Sequence, residues 1–257
     1  MEKFISLNNK KIRIKYLILS FLKKLIQFFF PERCVGCGEL LKEDTPLFCN
    51  NCFLTLKAIN PPFCYKCGYP FPGYVKVSHL CGECIKEKRY FDFARSCFSY
   101  EGLIREAIQK FKFNGKVFIG LKFADIMFSR TSYFFEKRDW DLIIPVPVHI
   151  NKLRKREFNQ AQVLASKIAF YLGIPYLRYL LIKKINNPSQ FSLKREDRIK
   201  NVKGVFDIVH PKKIKEKKLL LIDDVMTTGA TVNECAKILK RYGAKRVDVF
   251  TIARTLK

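Results

Sequence analysis

One stretch near the carboxyl end, Lys218 to Thr231, constrains the fold of this chain more than any other. It opens with an unbroken apolar run, Leu219 to Ile222, which is typical of a strand buried on both faces of a parallel sheet. Two acids follow the run, and hydroxyl residues and a glycine follow the acids. Apolar residues then recur at helical spacing until Gly243, which stands where helices commonly end in glycine. The pattern predicts a strand closed by the acids, then a loop, then a helix.

The loop of this unit contains the residue types that bind a phosphate. The first turn of a helix presents unpaired backbone N–H groups and a positive potential to an anion. The hydroxyl residues add donors, and the glycine lets the backbone close tightly around the anion. The predicted phosphate-binding residues are Thr227, Thr228, Gly229, Ala230 and Thr231.

The two acids before the loop need a different partner, because Asp223 and Asp224 would repel a phosphate. Carboxylates accept hydrogen bonds from sugar hydroxyls, either directly or through Mg²⁺. A ligand with vicinal hydroxyls at one end and a phosphate at the other, such as ribose 5-phosphate, fits both halves of the stretch. An ordinary strand end whose Asp and Thr residues cap the helix is the alternative. The stretch resembles the signature of type I phosphoribosyltransferases, whose two acids hold the ribose 2′ and 3′ hydroxyls.

Eight of the ten cysteines form four Cys-x-x-Cys pairs in one block of the chain. Each such turn brings two thiolates onto one metal ion, and two turns complete a tetrahedron. We therefore predict two structural Cys₄ zinc sites, paired in sequence order, in a reducing compartment; iron–sulfur ligation is the alternative. The predicted ligands are Cys34, Cys37, Cys49 and Cys52 for the first zinc ion and Cys64, Cys67, Cys81 and Cys84 for the second.

The first 30 residues combine basic and apolar side chains. They predict a basic tail and a helix from Tyr16 to Phe29, ended by Pro31. The apolar runs fall short of the ~20 residues that span a bilayer, and no small-residue cleavage site follows, so we expect neither a membrane span nor a signal peptide. The helix either packs on the following domain or lies on a membrane surface. The formal net charge of +26 indicates an anionic partner, nucleic acid or a membrane surface, unless it reflects a bias toward Lys.

From residue 89 onward, strand and helix patterns alternate, which predicts an α/β domain built on a mainly parallel sheet with helices on both faces. The predicted strands span residues 91–100, 141–148, 176–183, 205–209 and 246–253, and the predicted helices before the last unit span 103–111, 117–135 and 159–172. The polar, basic segment 186–203 is too long for a simple connection, so we interpret it as a mobile lid or a functional loop.

A basic loop, predicted at residues 151–160, leaves the strand that ends at Pro145 and Pro147. In parallel sheets ligands bind at the carboxyl ends of the strands, and both this loop and the phosphate loop leave from those ends. The basic side chains are predicted to bind either a nucleic-acid backbone or pyrophosphate. They are Lys152, Arg154, Lys155 and Arg156.

The order of these motifs resembles the ComF family over nearly the whole chain. The motifs are the paired cysteine turns, Pro145-Val146-Pro147-x-His149, Phe158-Asn159-Gln160-Ala161 and the acid–threonine–glycine stretch. The resemblance implies three parts in chain order: the basic tail and helix at residues 1–30, a double zinc ribbon at 31–88 and a type I phosphoribosyltransferase-like domain at 89–257. The family pattern has Gly where this chain has Glu157, and Thr-Pro-x-Gln where it has Asn187-Pro188-Ser189-Gln190.

The resemblance implies a cytoplasmic accessory of natural competence at the inner face of the membrane, working with other DNA-uptake proteins. Its ligands would be single-stranded DNA and either phosphoribosyl pyrophosphate with Mg²⁺ or a nucleotide. An active phosphoribosyltransferase that uses phosphoribosyl pyrophosphate with an unidentified acceptor is the alternative, and a scaffold with an idle pocket is a third interpretation. Purine-type enzymes carry an acid as base where this chain has Thr227. Purine salvage is therefore disfavoured, and no catalytic residue is assigned.

Overall fold

A computed structural model of the chain describes residues 31–42, 47–113, 116–135, 139–184 and 204–256. The basic tail, the helix predicted from Tyr16 to Phe29 and the segment interpreted as a lid, 186–203, lie outside these residues. Within the described ranges, none of the helices combines the length and the hydropathy that a membrane span requires.

The chain forms two compact units that divide between Leu54 and Thr55. The described part of the first unit contains a bridge between Arg33 and Leu40 and one short helix, α1 (Asn50–Leu54). The second unit starts with the residues of the second cysteine cluster, which include a short helix, α2 (Gly82–Lys86). The divide therefore falls between the two cysteine clusters, which the sequence pattern placed in one block.

The second unit alternates strands and helices, as predicted. Its strands are β1 (Phe93–Ser99), β2 (Leu142–Pro145), β3 (Leu181–Lys183), β4 (Phe206–Ile208), β5 (Lys218–Met226) and β6 (Arg246–Arg254). Its further helices are α3 (Gly102–Phe113), α4 (Val117–Ser129), α5 (Thr131–Phe135), α6 (Ile150–Arg156), α7 (Gln160–Leu172) and α8 (Ala230–Arg241), with a 3₁₀ turn at Pro211–Ile214.

Four strands form a parallel sheet in the order β1-β6-β5-β2. Leu219 of β5 lies opposite Val247 of β6 on one side and Leu142 of β2 on the other. This central position explains the apolar run of β5, because both faces of such a strand are covered. Since the strands are parallel, the carboxyl ends of β2 and β5 meet at one edge of the sheet, where ligands of such sheets bind.

Helices cover both faces of this sheet, as predicted. Neighbouring residues of a strand point to opposite faces. Val249 of β6 shares a buried core with Ala236 of α8. The next residue, Phe250, instead packs against Phe134 and Phe135 of α5, with ring-centroid distances of 6.0 and 5.1 Å. The structure thus confirms an α/β fold with a parallel sheet between helical layers.

Two predicted elements differ from the structure. The segment 176–183 meets the sheet only through one bridge between Tyr176 and Ile143. A turn at residues 178–180 then directs the chain away, so the end of the segment forms β3, which pairs antiparallel with β4 in a separate sheet. The helix predicted at 117–135 is two helices, because α4 ends at Ser129 and is capped by Arg130 before α5 begins at Thr131.

Candidate functional site

The two acids lie inside strand β5, whereas the sequence pattern placed them at its end. Pairing continues beyond them because β6 is equally long, so Asp223 lies opposite Thr251 and the strand ends at Met226. The Asp224 N–H donates to Asp223 Oδ1 at 2.9 Å. Burial is the main cause that raises the pKa of Asp223 to about 8, and the charge of Asp224 is the second. The raised pKa favours the protonated form of Asp223 at neutral pH.

Asp224 forms a buried ion pair with a residue that the sequence analysis missed. Lys112 Nζ lies 2.7 Å from Asp224 Oδ2, and the two side chains are only 7% and 12% exposed. Lys112 lies near the end of α3, one helical turn after the buried Ile108, so it shares the inward face of that helix. A lysine at an apolar position of an amphipathic helix is the signal that could have revealed it. The pair holds the Asp224 carboxylate in one position beside the phosphate loop.

The predicted phosphate loop makes a left-handed turn between β5 and α8. Gly229 caps the helix with a φ of 77°, a conformation that favours glycine, and a Cβ there would lie 2.8 Å from Met226 Cε. Thr228 Oγ1 accepts a hydrogen bond from the Ala230 N–H at 3.3 Å. Thr227 precedes the turn, and Thr231 follows it in the first turn of α8. The loop hydroxyls and the N-terminal N–H groups of α8 are thus brought together, an arrangement that binds anions.

Asn159 joins the end of β2 to helix α7. Its Nδ2 donates to Val146 O at 3.0 Å, and its Oδ1 accepts from the Ala161 N–H at 3.0 Å. Val146 in turn donates its N–H to Ile222 O at 2.8 Å, so this connection lies directly beside Asp223. Because Asn159 is only 3% exposed, it serves as a fixed frame for the site.

The predicted basic loop is instead the short helix α6. His149 caps this helix, with Nδ1 accepting from the Asn151 N–H at 3.2 Å. The helix forms because the residues after this cap contain no Gly or Pro and are rich in Leu, Lys and Arg, which favour helices. Lys152 is partly exposed and Arg154 is exposed. The side chains of Lys155 and Arg156 lie outside the described part of the chain.

Glu157 caps the C-terminal end of helix α6 and has a φ of 66°. Its N–H donates to Leu153 O at 2.7 Å, which completes the last turn of the helix. A left-handed conformation costs a residue with a Cβ about 1–2 kcal/mol, whereas glycine adopts it freely. The backbone turn is therefore the one that suits the glycine of the ComF pattern, although this chain has replaced that glycine.

The first cysteine cluster has the geometry of a tetrahedral zinc site. The Sγ atoms of Cys34, Cys37, Cys49 and Cys52 lie within 4.8 Å of one another, and those of Cys37 and Cys49 are 3.6 Å apart. Zinc–sulfur bonds of about 2.3 Å place tetrahedral sulfur atoms about 3.8 Å apart. Burial opposes ionisation of Cys34, but backbone hydrogen bonds from Cys37, Cys49 and Gly36 outweigh it and lower its pKa to about 6. The donor set therefore fits a structural zinc ion.

The second cysteine cluster fits a zinc ion equally well. The Sγ atoms of Cys64, Cys67, Cys81 and Cys84 lie within 4.8 Å of one another, and those of Cys67 and Cys81 are 3.7 Å apart. Side-chain hydrogen bonds from Cys67 and Cys84 lower the pKa of Cys64. Because four cysteines leave no open coordination position, zinc in either cluster is structural.

The parallel sheet holds the second cluster through two buried arginines. Arg254 of β6 donates to Cys67 O at 2.5 Å, and Arg95 of β1 donates to Tyr65 O at 3.3 Å. Cys64 and Cys67 also belong to the core that the sheet shares with α8. The second zinc site is therefore part of the larger unit, which the spacing of the cysteines did not reveal.

Two family models and several relatives match this chain. A double zinc ribbon domain matches residues 25–85, and a phosphoribosyl transferase domain matches residues 159–256. The chain is 29% identical to Competence protein F of Haemophilus influenzae, over 88% of this chain and 98% of that protein. It is 26% identical to Competence protein ComFC of Streptococcus pneumoniae (86% and 100%) and 27% identical to DNA utilization protein YhgH of Escherichia coli (74% and 83%).

Solved structures overlap with the chain less closely. The superposition with purine phosphoribosyltransferase from Pyrococcus horikoshii covers 52% of this chain and 83% of that chain, at 19% identity and a TM-score of 0.35. The sequence matches span two competence proteins almost end to end. In this chain, the two family models match in the same order as the cysteine clusters and the parallel sheet described above. Together, these matches support the assignment of the chain to the ComF family.

Proposed function

We propose that this protein is an accessory of DNA uptake that binds a phosphoribosyl ligand and single-stranded DNA on the cytoplasmic side of the membrane. One observation carries the ligand assignment: Asp223 and Asp224 lie near the end of β5, the strand that leads into the turn at Gly229. The names of the relatives, which refer to competence and DNA utilization, support the role in DNA uptake. We expect other proteins of DNA uptake to act with it.

The site offers distinct partners to the two ends of such a ligand. The acids can accept hydrogen bonds from the sugar hydroxyls, and the N–H groups at the start of α8 can bind the 5′-phosphate. The basic residues of α6, at the end of the neighbouring strand β2, suit a pyrophosphate or a DNA backbone. Bound Mg²⁺ would supply a positive charge between the acids and the ligand oxygens. Phosphoribosyl pyrophosphate with Mg²⁺, or a nucleotide, meets these requirements.

An active phosphoribosyltransferase is the second candidate function. The raised pKa of Asp223, about 8, favours it, because a group that titrates near neutral pH suits proton transfer. Release of pyrophosphate from phosphoribosyl pyrophosphate, assayed with a panel of acceptor bases, separates the two candidates. The accessory role predicts binding of this ligand without turnover.

Asp223→Asn is expected to weaken the binding of phosphoribosyl pyrophosphate with Mg²⁺ at least tenfold. The amide is neutral and loses charged hydrogen bonds worth about 1.5–3 kcal/mol each. The wild-type protein should also release protons on binding at pH 7, because a carboxyl with a pKa of about 8 accepts charged hydrogen bonds only after it has ionised. Calorimetry in two buffers of different ionisation enthalpy measures both effects.

Asp125→Asn is the matched control, because this acid pairs with Lys167 on the helical layer. It should retain both the affinity and the proton release of the wild type. Equal affinity in the Asp223→Asn variant and the wild type would remove the sugar-hydroxyl assignment.

Binding of DNA is supported by the charge of the chain and by exposed aromatic side chains near the second cysteine cluster. The formal net charge is +26. Tyr65 and Tyr74 are 56% and 84% exposed. Single-strand binding proteins commonly combine a positive surface with aromatic rings on which bases stack. The two features together favour a single-stranded partner.

Replacing Arg154, Lys155 and Arg156 with Ala is expected to flatten the salt dependence of single-stranded DNA binding. Each phosphate contact contributes a slope of about −0.7 to log K against log salt, so losing three contacts changes the slope by up to ~2 units. The affinity should fall alike for all sequences, because phosphate contacts carry no base information. Fluorescence anisotropy with labelled oligonucleotides at several salt concentrations measures the slope.

Lys212, Lys213 and Lys215 provide a control with the same change in charge. They are exposed and precede β5, at the opposite end of the strand from the ligand site. Replacing these three with Ala should alter the slope much less than the α6 triple variant does. An α6 variant with an unchanged slope would assign these basic residues to the pocket alone.

A further inference from the structure

Arg89 lies between the second cysteine cluster and strand β1, and its side chain is only 6% exposed. Asn233, in the first turn of α8, holds the backbone on both sides of this arginine. Its Oδ1 accepts from the Tyr90 N–H at 2.6 Å, and its Nδ2 donates to Lys88 O at 3.3 Å. The two hydrogen bonds fix Arg89 against the N-terminus of α8, where the phosphate turn lies.

The guanidinium group reaches the phosphate turn itself. Arg89 Nη1 lies 4.0 Å from the position that a Cβ would take on Gly229. The turn is thus flanked by a positive charge that the sequence pattern did not reveal.

The hydrogen-bonding capacity of Arg89 is only partly used. Its Nη2 lies 3.0 Å from Glu87 Oε2 and 3.5 Å from Glu83 Oε2. Its Nε is buried and has no hydrogen-bond partner within the part of the chain that the structure describes. Leaving such a donor without an acceptor is unfavourable, so buried donors of this kind call for an explanation. An anion held in the turn would supply the missing acceptor.

We propose that Arg89 is an anion-binding residue of the phosphate site. In this assignment its Nε and Nη1 donate to a phosphoryl oxygen that the turn from Thr227 to Thr231 holds. A guanidinium group suits this role, because its planar set of donors matches phosphate oxygens. The assignment rests on the proposed function and deepens it, since it adds a specific ligand-binding residue to the same site.

The second zinc site acquires a role in ligand binding through the same contacts. Glu83 belongs to α2, between the zinc ligands Cys81 and Cys84, and it holds Arg89 through Nη2. Glu87 follows this helix directly and provides the second ion pair. The zinc-binding segment therefore positions the arginine, and the phosphate site is shared between that segment and the α/β sheet.

Titration of the full chain with ribose 5-phosphate at fixed ionic strength, followed by calorimetry, tests the assignment. Arg89→Gln is expected to weaken binding about tenfold or more, the loss typical of a charged hydrogen bond. Arg89→Lys should also bind more weakly than the wild type, because an ammonium group keeps the charge but lacks Nε and the planar donor pair. Lys88→Gln removes the same charge from the adjacent exposed residue and should stay within about twofold of the wild type.

Zinc content and circular dichroism identify the variants that have kept the fold. If Arg89→Gln does not fold, Arg89→Lys is the variant that tests the assignment. Wild-type affinity in a folded Arg89 variant overturns the assignment, as does an equal loss in Lys88→Gln, which would indicate a general effect of charge. Failure of the wild-type protein to bind ribose 5-phosphate overturns the proposed function, and this assignment with it. Binding by the wild type with unchanged affinity in the Arg89 variants overturns the assignment of Arg89 alone.

Discussion

Loss of the second zinc ion is expected to unfold the larger unit of the chain, whereas loss of the first is not. Cys64→Ser removes a buried ligand that shares a core with the parallel sheet, and Cys37→Ser removes an exposed ligand from the separate first unit. Structural zinc contributes on the order of 10–16 kcal/mol in small zinc-binding peptides, which rivals the 5–15 kcal/mol that typically stabilises a whole domain. Thermal unfolding followed by circular dichroism measures the effect.

Zinc analysis by atomic absorption should give two ions per wild-type chain and one in each variant. We expect the Cys37→Ser protein to keep the main unfolding transition of the wild type and the Cys64→Ser protein to lose it. A strong chelator should act on the wild type as the Cys64→Ser substitution does. A wild-type transition in the Cys64→Ser protein, or a fully folded chain with fewer than two zinc ions, would contradict this prediction.

Lys112→Met is expected to lower the free energy of unfolding by about 3–5 kcal/mol. Methionine fills the space of the lysine stem but leaves the Asp224 carboxylate buried without its partner, and breaking a buried ion pair on one side has costs of this size. Urea denaturation monitored by circular dichroism measures the change. The loss should also weaken ligand binding, because the released carboxylate no longer has a fixed position beside the phosphate loop.

Arg105→Met is the matched control, because Arg105 is exposed on the same helix, α3. Its effect on stability should stay within about 0.5 kcal/mol, the usual range for surface substitutions. The double variant Lys112→Met with Asp224→Asn should recover much of the loss, since it removes the unpaired charge. If Lys112→Met were no more harmful than Arg105→Met, the ion pair would have no structural importance.

The sequence by itself determined the features that depend on neighbouring residues. The apolar run before Asp223 predicted the central strand, and the spacing of glycine and apolar residues after it predicted α8. The Cys-x-x-Cys turns predicted both metal sites, because two cysteines in one turn already face one metal ion. In these cases the local conformation of the backbone is sufficient to bring the functional atoms together.

Only the tertiary structure decided which distant residues meet at this site. Lys112 and Asp224 are far apart in the sequence, and no pattern around either residue indicates the other. Arg89 reaches Gly229 only because Asn233 holds the segment beside it, and the second cysteine cluster joins the larger unit only through arginines on β1 and β6. The physical reason is the same in each case. Local periodicity reports which face of an element is buried, but the partner on the other side of that face is fixed by the packing of strands and helices.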